Sequence, residues 1–191
     1  MYVHKMDVGF TNILNIGRCA FFIECNKDGG IFIPIEEIFD KCQSAHKVVL
    51  TGNPLLQKEE VAKLCKKLVK HNPRISIEIF TVPLIKPIEI SSYLSNTNFN
   101  ILIYTKDDKR YKVDIILLSW YVELNANFIF EINTLEDIDN VISIINSAGI
   151  KKSQTFLLPL NHIKNLYKHA KFYGINLAPK VEWEESDDDE G

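Results

Sequence analysis

Strand-length apolar runs alternate with helix-like stretches from Cys19 almost to the end of this chain. That alternation confines the chain to an α/β layer or incomplete barrel with a largely parallel sheet. The first run, residues 19–24, ends in the turn sequence Asn26-Lys27-Asp28-Gly29-Gly30. Residues 31–33 read as either a short strand or a docking segment. Pro34 then opens a helix over 35–43, with Glu36 and Glu37 in the first turn, where the helix dipole favours acids. Residues 47–51 predict a buried strand, and Gly52-Asn53-Pro54 turns it into a helix over 55–70. There Val61, Leu64, Cys65 and Leu68 recur at helical spacing, and Lys63, Lys66, Lys67 and Lys70 take the outer face.

Pro73 ends that helix, and a strand follows over 75–81. Residues 100–104 and 113–118 are β-rich and flank Lys106-Asp107-Asp108-Lys109-Arg110, as a hairpin or as two separate strands. A further strand covers 127–132. The next helix runs from a Thr134 cap to about residue 147, with Asp137 placed for a capping box and Gly149 as its stop. A strand over 155–158, a helix over 161–173 stopped by Gly174, and a last strand over 177–181 complete the order.

The bulk numbers fit one globular domain, residues 1–180, followed by an acidic tail, 181–191, expected to be disordered. Net charge is −3, but the tail holds seven acids and no Lys or Arg; outside it, 22 basic residues face 18 acidic ones. A basic body with an acidic end fits a regulated nucleic-acid surface, or simply a solubilising end. No stretch approaches the roughly 20 apolar residues of a membrane span. The N-terminal residues have no signal-peptide core, so the expected compartment is the cytoplasm.

Cys19, Cys25, Cys42 and Cys65 form no C-x-x-C pair and read as free thiols. The five histidines make no metal motif; His162 and His169, seven apart, share a helix face at most. Glu24, Glu78, Asp114, Glu123 and Glu131 lie in or beside strands, yet none has a partner visible in the sequence, and a structural role accounts for each. Neither a nucleophile elbow nor a phosphate-binding loop is present. Tyr2, Tyr93, Tyr104, Tyr111, Trp120, Tyr121 and Trp183 form no recognisable stacking platform.

Three segments, taken in order, carry a resemblance. Val48-Val49-Leu50-Thr51-Gly52-Asn53-Pro54-Leu55-Leu56-Gln57 stands against a pattern of apolar strand, T-G-G-E-P and L-L-Q. Ile75-Ser76-Ile77-Glu78 stands where a strand leads into E-T-N-G-T. Phe128-Ile129-Phe130-Glu131-Ile132, the helix with Leu135-Glu136-Asp137-Ile138, Phe156-Leu157-Leu158-Pro159 and the stretch 168–179 match a closing order of strand, helix, L-M-P and final helix. Over about residues 14–181 the chain resembles the 7-carboxy-7-deazaguanine synthase branch of the radical S-adenosylmethionine enzymes. The resemblance implies a truncated, open partial (β/α) barrel with a largely parallel sheet.

It also exposes losses. The family holds a [4Fe–4S] cluster on C-x-x-x-C-x-x-C, and such a cluster needs closely grouped thiolates. Here Cys25 runs straight into Asn26-Lys27-Asp28-Gly29-Gly30 without the expected loop. The G-G-E-P segment, which receives the cofactor's ammonium group, is shortened to Gly52-Asn53-Pro54 and lacks the acid. An amide there supplies no charge to offset a buried ammonium. Glu78 keeps the acid of E-T-N-G-T, but apolar residues follow it. The resemblance therefore leaves Thr51, Gly52, Asn53, Pro54 and Glu78 as remnant positions, with no intact cofactor site, no metal, no catalytic residue and no cofactor.

The expected function is that of a pseudoenzyme, an accessory subunit that binds a protein partner and, in association, nucleic acid. Candidate contacts are the basic helix face of Lys63, Lys66, Lys67, Lys70 and Arg74, and the tail residues Trp183, Glu184, Glu185, Asp187, Asp188, Asp189 and Glu190. Outer-face lysines are equally the ordinary solvated side of an amphipathic helix. One alternative is a binding protein for a purine- or pterin-like molecule at the remnant barrel mouth. Another is a 7-deazaguanine-pathway radical enzyme completed by a partner subunit.

Overall fold

A computed structural model describes residues 1–10, 19–26, 29–87, 97–104, 113–161 and 163–178. Among the described residues there are nine strands: β1 (Tyr2–Phe10), β2 (Cys19–Cys25), β3 (Ile31–Phe32), β4 (Lys47–Gly52), β5 (Ser76–Thr81), β6 (Thr97–Tyr104), β7 (Asn127–Ile132), β8 (Thr155–Pro159) and β9 (Asn176–Leu177). They form one unclosed sheet in the order β3-β1-β2-β4-β5-β6-β7-β8-β9. β1 is antiparallel to both of its neighbours, and every pairing from β2 to β9 is parallel. From β2 onward the parallel strands are added in chain order. The described helices all pack on one face of this sheet, as crossovers of a single hand require.

The described helices are α1 (Ile35–Cys42), α2 (Lys58–His71), α3 (Ile115–Glu123), α4 (Asp137–Ala148) and α5 (Leu166–Tyr173). Their buried residues, among them Ile38, Leu64, Leu118, Val141 and Ala170, share one core with Ile23, Val48, Leu50, Ile77, Ile101, Phe128 and Leu157. These strand residues alternate with a second set facing away from the helices. In that set Ala20, Val49, Phe80 and Ile129 are buried, with Phe22, Leu102, Phe156 and Leu158 packed against them. Strands apolar on both faces appear in sequence as continuous runs, as in Val48-Val49-Leu50 and Phe128-Ile129-Phe130.

β1 has no counterpart among the elements expected from the sequence, because Tyr2–Phe10 mixes His4, Lys5 and Asp7 into a strand at the sheet margin. Residues 113–118 are not a β-run: Asp114 caps α3, its carboxylate accepting from the Leu117 N–H at 3.1 Å. The run is apolar on every side, so it has no helical period to read. The last helix begins at Leu166, since Asn165 takes a left-handed conformation (φ 64°) that blocks an earlier start.

At α4, Asp137 reaches back as expected, its Oδ2 accepting from the Asn133 and Thr134 N–H groups at 2.7 and 2.9 Å. The helix starts later than predicted, however, and Thr134 is not its cap. Gly149 and Gly174 close their helices at φ 68° and 69°. Residues 106–110 and the tail from 181 lie outside the described residues. Among the described residues, no helix is long and apolar enough to cross a membrane.

Candidate functional site

In sheets of this kind ligands bind where the strands end, at their carboxyl edge. Thr51 lies at that edge of β4, beside Glu24 of β2. Gly52 follows at φ 75°, and a Cβ there would lie 2.2 Å from the Cys25 carbonyl oxygen, so only glycine fits. The Asn53 N–H donates to the same carbonyl at 3.2 Å. Pro54 is buried and opens a 3-10 turn, Pro54–Gln57, that leads into α2. Gln57 is also buried, and its amide brackets Tyr2: it accepts from the Tyr2 N–H and donates to the Tyr2 carbonyl at 2.9 Å. The Gly52-Asn53-Pro54 loop thus ties β4 to β2, and Gln57 ties it to β1.

Glu78 is not part of that edge. It sits within β5, opposite Val49 and Asn98, on the face away from the helices. Lys47 Nζ lies 2.7 Å from its Oε1, and the two side chains are only 7% and 3% exposed. Sequence reasoning missed Lys47. The available signal was a lone cation opening the otherwise apolar Lys47-Val48-Val49-Leu50, since a buried lysine needs an acid. Nearby, Asn127 Nδ2 donates to Asn100 Oδ1 at 3.0 Å. Toward the carboxyl edge this face becomes apolar, through Phe22, Val49, Phe80, Leu102, Ile129, Phe156 and Leu158.

The thiols lie elsewhere. Cys19 is exposed, whereas Cys25, Cys42 and Cys65 converge in the helix-side core. Burial pushes the Cys25 thiol up to about 12, Cys42 to about 11 and Cys65 to about 12, with Cys25 and Cys42 adding to the rise at Cys65. Cluster ligation requires thiolates, and these three are held as protonated thiols among apolar side chains. Among the described residues, no three of His, Cys, Asp and Glu come together to hold a metal. The residues present do not fit a cubane cluster, and Glu78 is paired with Lys47 within the sheet rather than at the strand ends.

Of the basic face on α2, Lys63, Lys66 and Lys70 are exposed, as is Arg74 beyond its end. Lys67 turns toward α1: its Nζ is 3.7 Å from Glu36 and 4.6 Å from the centre of the Phe39 ring. Lys67 therefore joins two helices. Trp183, Glu184, Glu185, Asp187, Asp188, Asp189 and Glu190 lie outside the described residues. Searches of protein-family models and of curated proteins return no match for this chain.

Proposed function

We propose that the chain is a catalytically inactive, radical-S-adenosylmethionine-like protein, an open partial barrel that serves in the cytoplasm as an interaction subunit for a protein partner. The observation that carries this reading is the Lys47–Glu78 ion pair at 2.7 Å. The acid that the resemblance assigns to cofactor binding is consumed inside the fold, beneath an apolar layer of Phe22, Phe80, Leu102 and Ile129. The three core thiols support it as well, because metal would first have to displace a proton from each.

Anaerobic reconstitution with iron and sulfide, followed by purification from native lysate, tests the proposal. The expected protein stays colourless and carries a partner protein in fixed ratio. A brown protein that cleaves S-adenosylmethionine would overturn it in favour of a radical enzyme. A version ending at Lys180 distinguishes the contacts: a partner lost on truncation docks on the Trp183 segment, and one retained docks on the folded body.

A further inference from the structure

Charge is segregated along this chain in a way the net value conceals. Between Asp139 and Glu182 there is no acidic residue, while Lys151, Lys152, Lys164, Lys168, Lys171 and Lys180 all fall there. Elsewhere Lys41 pairs with Glu37 at 3.1 Å and Lys5 with Asp7 at 3.5 Å. Among the described residues, none of Lys151, Lys152, Lys164, Lys168 and Lys171 has an ion-pair partner.

α5 carries two of these lysines, Lys168 and Lys171, beside two exposed rings. Its inner side is Leu166 and Ala170, both buried in the core. On its outer side Phe172 is 81% exposed and Tyr167 67% exposed. At about 100° per residue, Tyr167, Lys171, Lys168 and Phe172 lie in that order across an arc of roughly 140°, so the rings bracket the two ammonium groups. Lys164 precedes the helix and is exposed. Lys152 reaches the other end, its Cδ 4.0 Å from the position a Cβ would take at Gly174. The Phe172 ring is oriented by an edge contact with Tyr173, centroids 5.0 Å apart at 83°.

We propose that this face of α5 binds single-stranded nucleic acid, with Tyr167 and Phe172 stacking on bases and Lys152, Lys164, Lys168 and Lys171 meeting phosphates. Cations without acids between them suit a polyanion. Exposed rings set among those cations suit unpaired bases, which offer a stacking face whatever their sequence. An acidic peptide would use the charges but leave the rings without flat partners. This surface is independent of the buried Lys47–Glu78 pair, so it stands or falls apart from the loss of chemistry proposed above.

Fluorescence anisotropy of a labelled oligothymidylate against the full chain tests it. Binding is expected to weaken with salt, with a log–log slope of about −3 for four neutralised phosphates at roughly −0.7 each. Phe172→Ala and Tyr167→Ala are each expected to weaken binding roughly 5- to 150-fold. Lys168→Gln is expected to flatten the slope by about 0.7. Both rings and Lys168 are at the surface, so these variants fold, and circular dichroism checks that they do. No binding at low salt overturns the proposal. So does equal affinity for a duplex of the same charge, or an acidic peptide that binds through Tyr167 and Phe172 when the oligonucleotide does not.

Discussion

At the scale of single residues, Lys47 and Glu78 bring two opposite charges into the fold at 7% and 3% exposure. Removing one member of a buried ion pair strands the other, at about 3–5 kcal/mol, whereas replacing both with apolar groups is close to neutral. Lys47→Met is therefore expected to lower the unfolding free energy by about 3–5 kcal/mol, and Lys47→Met with Glu78→Leu to restore most of it. Urea unfolding midpoints measure both; equal losses in the single and double variants would mean that the 2.7 Å contact carries no coupling. Glu131 supplies a second test. Burial raises its carboxyl above the ordinary value, so the folded state binds this proton more tightly than the unfolded chain. Its contribution to stability is present below the ordinary carboxylate pKa and is lost as pH rises through the raised value. Glu131→Gln should thus gain stability relative to the parent near neutral pH and gain nothing in acid. Thermal melts at the two pH values decide it.

At the scale of elements, the legible parts were those whose period or punctuation was strong. β7 was read to the residue from Asn127 to Ile132, and the buried side of α2 from Val61, Leu64, Cys65 and Leu68. α3 resists a sequence reading because Ile115-Ile116-Leu117-Leu118 is apolar and partly β-branched, and the local mark of its start is one capping carboxylate. That gives a direct prediction: Asp114→Ala leaves the Leu117 N–H without its 3.1 Å acceptor and should cost about 1 kcal/mol. Asp114→Asn, which keeps an acceptor, should cost only a fraction of that. Were both variants equally stable to the parent, the start of α3 would be fixed by packing alone. β1 stayed invisible for a different reason. At the sheet margin both faces of the strand tolerate polar residues, so its pairing with β2 is a tertiary fact with little local signal.

At the scale of the whole molecule, the sequence contained the site residues but not their grouping. Thr51, Gly52 and Asn53 were identified as a loop that replaces an acid-bearing one, and they do form the turn over Cys25. Glu78 was assigned to the same place, yet register sets it within the sheet beside Lys47, a distance no linear pattern encodes. The cysteines make the same point. Their intervals show only that they are not a motif, while the fold brings Cys25, Cys42 and Cys65 into one core and leaves Cys19 outside. The core placement has a consequence for the stability of the entire chain. Each buried thiol is raised from 9.0 to about 11 or 12, so the folded state keeps its proton where the unfolded chain would lose it. The stability tied to these protons is complete below about pH 9 and is lost as pH climbs toward 11–12. A thiol reagent should therefore modify one cysteine rapidly at neutral pH, and Cys19→Ser should abolish that phase. The remaining three should react only as fast as the protein opens, and that rate should rise steeply above pH 9. Fast modification of three or four thiols at neutral pH would mean that the helix-side core is not closed around them.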